Sequence, residues 1–242
     1  MTAELPPAAQ TVIVGGGVIG VSCAFHLAAA RVDGVLLVEQ QTLGSGSTSR
    51  AAGGIPASFS TGRNIETGLR GLAAYALERF DQRSIFAGTA TCTCCPTGVT
   101  SRHSKRPVSL HHEYGVRTEL IGLAEAQRRA PLIVTDGLVA ALWSPDDTRV
   151  TLDSVVLGYA GAARRLGAVL RTGVRVTRME TQAGEIVGVR TDAGRIRTGT
   201  VVCTAGRGRR SSGRWLACSR RSCPSAVAWR LTLAQFERHL AA

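Results

Sequence analysis

Three glycines, one acid and a run of hydroxyls are the residues of this 242-residue chain whose types and spacing could hold a ligand. In Gly15-x-Gly17-x-x-Gly20 the first glycine permits a tight turn and the second removes a Cβ from the path of a pyrophosphate. The third lets a following helix pack closely. A helix starting there, with Val18 and Ile19 in its first turn, offers N–H groups and partial positive charge to an anion. Glu39 lies nineteen residues beyond Gly20, with Gln40 beside it. An acid at that distance accepts hydrogen bonds from an adenosine ribose and repels a 2′-phosphate. Gln41 to Gly54 is a stretch of small residues and hydroxyls, among them Ser47, Thr48 and Ser49. Such a segment either lays its backbone against a flat cofactor or serves as a flexible surface linker. A glycine triplet alone also arises as a purely structural turn; the flanking elements separate the two readings.

Those elements are legible as apolar periods. Thr11-Val12-Ile13-Val14 and Val35-Leu36-Leu37-Val38 are short β-branched or aliphatic runs of the kind that form buried parallel strands. Between them Val21, Ala24, Phe25 and Ala28 recur at helical spacing, predicting a helix over Val18 to Ala30. Asn64 to Phe80 reads as a second helix with Asn64 as its cap and Ile65, Leu69, Leu72, Ala73, Ala76 and Leu77 on one face. From Asp81 to about Leu110 neither the strand nor the helix period persists, and no element is assigned. Strand Thr118 to Ile121, helix Leu123 to Arg129 stopped by Pro131, and strand Leu138 to Trp143 follow. Thr151 or Asp153 then caps a helix running through Leu166, with Val155, Val156, Tyr159, Ala163 and Leu166 inward. Val169 to Arg171, Val174 to Met179 and Ile186 to Thr191 are strand-like, Asp192 to Arg195 is a hairpin turn, and Thr200 to Cys203 is an apolar strand running into Thr204-Ala205-Gly206.

Composition narrows the function classes. With 44% hydrophobic residues the chain is globular, and no apolar run approaches the ~20 residues of a membrane span. The start, MTAELPPAAQ, has neither a basic nor an apolar leader segment, which predicts a soluble cytoplasmic chain with no membrane partner. A net charge of +12 ordinarily points to nucleic acid, but most of it lies in two segments. Residues 207–230 hold seven Arg and no acid, and residues 81–110 hold Arg83, Arg102, Lys105 and Arg106 against Asp81. Five of the seven Cys fall in the same two segments, as Cys92, Cys94 and Cys95 and as Cys218 and Cys223. Their spacing matches no zinc pattern, so no metal is expected, and without a secretory leader no disulfide framework either.

Taken together, the fingerprint, the strand ending in Glu39 and the segment GSGSTSRAAGG resemble the FAD-dependent amino-acid oxidase superfamily, which includes D-amino-acid oxidase, glycine oxidase, sarcosine oxidase and dimethylglycine dehydrogenase. The strand ending in Thr204-Ala205-Gly206 is similar to the one that returns to that family's nucleotide sheet. The resemblance implies FAD as cofactor and an amine or amino acid as small-molecule substrate, oxidised by hydride transfer to the flavin. It places Gly15, Gly17, Val18, Ile19, Gly20, Glu39, Gln40, Ser47, Thr48, Ser49, Ala51, Ala52, Thr204, Ala205 and Gly206 at the cofactor, and Val174 at the adenine through backbone atoms. No side chain occupies an identifiable catalytic role.

The expected architecture is α/β, a Rossmann-type FAD-binding sheet built from the two ends of the ordered chain, with an incomplete antiparallel substrate domain between them. The expected boundaries are residues 1–80 and 151–206 for the FAD-binding parts, 111–150 for the partial substrate domain, and 81–110 and 207–242 unassigned. Resemblance stops at Phe80, resumes near His112 and stops again after Gly206, and the chain has one Lys against twenty-eight Arg. Segments 81–110 and 207–242 are therefore read as out-of-frame translation of a longer gene, leaving a truncated, impaired oxidase; a genuine insertion and basic tail is the alternative. Two further alternatives are a non-catalytic nucleotide-binding subunit that needs a second chain, and nucleic-acid binding through the Arg-rich tail.

Overall fold

The computed structural model describes residues 4–76, 87–88, 90–96 and 101–206. In chain order the elements are β1 (Thr11–Val14), α1 (Val18–Ala29), β2 (Val35–Glu39), a single 3-10 turn (Thr48–Arg50), β3 (Gly54–Ile55), α2 (Gly62–Ala76), β4 (Ala87–Gly88), β5 (Thr91–Pro96), α3 (Ser101–Glu113), β6 (Glu119–Ile121), α4 (Leu123–Arg129), β7 (Leu138–Ser144), β8 (Thr148–Arg149), α5 (Leu152–Arg165), β9 (Val169–Thr172), β10 (Val176–Gln182), β11 (Glu185–Thr191), β12 (Gly194–Arg197) and β13 (Thr200–Cys203). The chain divides into two compact units, one of residues 1–51 and 155–242, the other of residues 52–154.

The first unit is built on a four-stranded sheet in the order β13-β1-β2-β9, with β1 parallel to both β13 and β2, and β2 parallel to β9. The apolar runs predicted as buried strands are exactly that, because both faces are covered. Val12, Val14, Leu36 and Val38 share one core with Val176, Met179, Val189 and Ile196 of the antiparallel sheet β10-β11-β12. On the opposite face α1 packs against β1 and β2, burying Val21, Ala24, Phe25 and Ala28, the four residues picked out by their spacing. Tyr159 of α5 meets Phe25 with ring centroids 5.6 Å apart. The first and last described strands thus lie side by side, and the predicted joining of the two ends of the ordered chain is observed.

The second unit carries the antiparallel sheets β3-β8-β4 and β5-β7-β6. Ala57, Ile65 and Val116 form one small core with Phe59, Leu69, Leu72, Leu110 and Tyr114 around it, and Ile121, Ala126 and Ala141 form another with Cys92 and Trp143.

The two compact units divide after Ala51, and α2 buries Ile65 against Ala57 and Val116 of its own unit. Several expectations are corrected. Asn64 is not the cap of α2. The amides of Asn64 and Ile65 both donate to the Thr61 carbonyl, so the helix has already begun. The end of that predicted helix, residues 77–80, lies outside the described residues. Leu166 is 49% exposed, not inward, because α5 ends at Arg165 and the chain turns away through Gly167. Between 81 and 110, where no element was assigned, the chain forms β4, β5 and much of α3. Strand β5 pairs with β7 over Thr91 to Pro96. Val174 precedes its strand, which begins at Val176.

Candidate functional site

The carboxyl ends of β1, β2 and β13 converge on the glycine loop, the position at which open α/β sheets take ligands. Gly15 has φ +108°, and a Cβ there would lie 2.8 Å from the carbonyl carbon and oxygen of Thr204. A Cβ on Gly20 would lie 1.9 Å from the Gly15 carbonyl oxygen. These two glycines are therefore demanded by packing within the protein. At Gly17 the only atom within 4 Å of a Cβ, among the described residues, would be Thr48 Oγ1 at 3.1 Å, so a side chain there would fill open space in front of the loop. That is the cradle an approaching pyrophosphate requires, and it is the observation that fits the residues to a dinucleotide.

Three side chains from distant segments hold the loop. The Glu39 carboxylate accepts Gly16 N–H on Oε2 at 2.6 Å and Gln41 N–H on Oε1 at 2.9 Å. An ionised carboxylate has about four lone-pair directions, so two remain for ribose hydroxyls. The Thr48 hydroxyl accepts Val18 N–H at 3.1 Å, serving the first turn of α1, whose N-cap Gly17 has no side chain to do so. Thr204 Oγ1 lies 3.0 Å from the Val14 carbonyl and 2.8 Å from that of Gly15, and its single proton is shared between them. Thr204 N–H also donates to Val14 O at 2.8 Å.

The other predicted site residues take distinct places. Gly16, missed in the sequence, must also be glycine, since its Cβ would meet Leu43 Cδ2 at 2.7 Å and Glu39 Cβ at 2.9 Å. A three-glycine run beside the fingerprint was the available signal. Ile19 is 47% exposed at the mouth of the helix, and Gln40, Ser47, Ser49 and Ala51 are exposed. The Ser49 hydroxyl donates to Gly46 O within its own loop. Gly206, at φ +56°, approaches Ser47, whose Oγ would be 4.0 Å from its Cβ. Ala205 is half-buried in the same row. Val174 is buried, and its N–H donates to Glu39 O at 2.9 Å, extending the β2–β9 pairing beyond the strands. Ala52 falls in the second unit.

Within that second unit His111 is 3% exposed and was not singled out by its sequence context. Its Nε2 lies 2.9 Å from Phe59 O and its Nδ1 3.0 Å from Thr118 Oγ1. A carbonyl only accepts, so Nε2 carries a proton, and the threonine hydroxyl, able to donate or accept, partners Nδ1. The buried Asp147 carboxylate accepts Ala57 N–H at 3.1 Å and the Ser58 hydroxyl at 3.3 Å. These bonds pin the segment 57–59 within the unit. Among the described residues no group of three His, Cys, Asp or Glu could hold a metal ion.

Comparison with known proteins adds to this geometry. The chain is 32% identical over 209 residues, 84% of its length, to 4-methylaminobutanoate oxidase (formaldehyde-forming) of Paenarthrobacter nicotinovorans, of which it covers 25%. It is 30% identical over 209 residues to the mitochondrial pyruvate dehydrogenase phosphatase regulatory subunit of Mus musculus, covering 84% of this chain and 23% of that one. The chain therefore spans about a quarter of the length of these curated relatives. Among solved structures, L-proline dehydrogenase from P. horikoshii superposes with a TM-score of 0.78 at 29% identity, over 86% of this chain and 57% of the other. Residues 10–219 match the model of the DAO family, FAD dependent oxidoreductase, and the chain belongs to that family.

Proposed function

We propose that this chain binds FAD on the glycine loop and serves the oxidation of an amine or amino acid. The observation that carries the reading is the open position in front of Gly17, flanked by the N-terminus of α1 and by a Glu39 carboxylate with lone pairs to spare. FAD, when bound, supplies the hydride acceptor. The protein's share is binding and orientation. The first turn of α1 and the Thr48 hydroxyl face the pyrophosphate, Glu39 takes the ribose hydroxyls, and the Val174 backbone meets the adenine. Ser47, Ser49, Ala51, Ala205 and Gly206 line the path toward the flavin. In the same proposal residues 111–150 contribute the partial substrate domain, and no catalytic side chain is assigned. The expected cytoplasmic location belongs to this proposal; among the described residues no helix is long and apolar enough to cross a membrane.

The test is to purify the full chain, record its absorption and fluorescence spectra, and identify any nucleotide released on denaturation. FAD is the expected ligand. NAD recovered as a tight stoichiometric ligand overturns the reading. A second reading is favoured by the relative named as a regulatory subunit: a nucleotide-binding subunit without oxidase chemistry that works with another chain. Bound FAD that no amine or amino acid reduces under anaerobic conditions would select it.

A further inference from the structure

One side chain of the loop has work to do before any ribose arrives. The Glu39 carboxylate is divided between two amides, Gly16 N–H at 2.6 Å and Gln41 N–H at 2.9 Å. Its stem lies flat against Gly16, whose Cβ would fall 2.9 Å from Glu39 Cβ and 3.0 Å from Cγ. The neighbouring polar groups of the loop are tied to the same segment. Gly15 N–H donates to Val38 O and Gly44 N–H donates to Gly16 O, each at 2.9 Å. Glycine has more backbone freedom to lose than any other residue, so a loop beginning Gly15-Gly16-Gly17 needs external restraint. An ionised acceptor restrains an amide about twice as strongly as a neutral one.

We infer that Glu39 is a positioning residue for the pyrophosphate loop, holding Gly16 and the turn into α1 in the binding conformation whether or not a ribose is present. The inference rests on the reading that this loop takes a dinucleotide. It adds that a ligand with no ribose hydroxyls still depends on Glu39, and that Gly16 is glycine so that the Glu39 stem can reach both amides.

The test uses the full chain, with calorimetric titration of ADP and of 2′,3′-dideoxy-ADP, and amide hydrogen exchange at Gly16 and Gln41 in the ligand-free protein. Glu39→Ala is expected to lower affinity for both ligands by about tenfold or more. Gly16→Ala is expected to lower dideoxy-ADP affinity similarly, and the double variant should be no weaker than the worse single one, because both break one latch. Exchange at Gly16 should accelerate about tenfold or more in Glu39→Ala. Should that variant fail to fold, Glu39→Gln keeps the stem and one acceptor oxygen, and an intermediate loss of dideoxy-ADP affinity is expected. Wild-type affinity for dideoxy-ADP in Glu39→Ala, or in Glu39→Gln if that variant is needed, overturns the positioning role and leaves ribose contact alone. If the unmodified chain binds neither FAD nor ADP, the dinucleotide reading itself fails. Exchange in the ligand-free protein then still decides the latch: faster exchange at Gly16 supports it, and unchanged protection overturns it.

Discussion

Gly17→Val and Gly20→Ala separate binding from folding. Among the described residues a Cβ at Gly17 meets only the Thr48 hydroxyl, so Gly17→Val should fold while filling the space in front of the loop, and FAD affinity should fall by more than about a hundredfold, about 2.7 kcal/mol. At Gly20 a Cβ would overlap the Gly15 carbonyl, and even the small Ala forces α1 away from the loop. Gly20→Ala should therefore lose stability as well as affinity, by roughly 1–3 kcal/mol as overpacking typically does. Chemical denaturation run beside a flavin titration distinguishes the two; a Gly17→Val protein that retains FAD removes the cradle. His111 is a packing case of another kind. Replacing it with Ala strips the half-buried Phe59 carbonyl and the buried Thr118 hydroxyl of their partner, at roughly 1–3 kcal/mol for the hydroxyl left buried and unpaired. Urea unfolding should show that loss, and Gln, which can both donate and accept, should recover part of it.

Among the elements, the three-stranded antiparallel sheet carries a charge cluster with a readable pH signature. Glu180 on β10 accepts from Arg195 on β12 at 2.5 Å and from Arg190 on β11 at 2.7 Å. Those hydrogen bonds, Arg195 first and Arg190 second, hold its carboxyl below the ordinary carboxylate range. A pKa lowered in the folded state contributes stability above the unfolded value, and the contribution fades as pH falls through the folded one. Glu180→Gln should therefore lower the melting temperature at neutral pH and converge with the unmodified chain at low pH, flattening the acid limb, the difference shrinking with added salt because the cluster is exposed. The elements differ in how far their sequences disclosed them. Strands β1 and β2 are aliphatic runs buried on both faces, β13 is a half-buried run at the sheet edge, and α1 repeats Val21, Ala24, Phe25 and Ala28 on one face, so period and burial coincide best in β1, β2 and α1. Strand β5, reading TCTCCP, buries only Cys95 and carries no alternation, while α3 contains Pro107 and few apolar residues. Their structure comes from pairing with β7 and packing in the second unit, which no local period encodes. At the site the tight turn at Gly15, the close packing at Gly20 and the place of Glu39 at the end of β2 were legible. The latches to Gly16, Val18 and the Gly15 carbonyl were not, because they join positions 23 to 189 residues apart.

For the whole molecule, the out-of-frame reading of residues 81–110 and 207–242 remains a statement about the gene. The family match runs across the first of these segments and on to residue 219 in the second, and the second lies outside the described residues. We expect that moving the frame by one nucleotide at each junction of the coding DNA yields Cys-poor, periodic sequence with family-like motifs; if neither alternative frame does so, both segments belong to the protein as translated. A separate consequence follows from Thr204. Strand β1 and the glycine loop are made at the beginning of synthesis, yet β1's second neighbour and the hydroxyl that binds the Val14 and Gly15 carbonyls arrive some 190 residues later. During translation the loop exists for most of that time with one wall missing, so cofactor supply cannot guide the early folding of the nascent chain. Flavin starvation would then act on finished chains, as a loss of retention and protease resistance, and leave the yield of synthesis untouched.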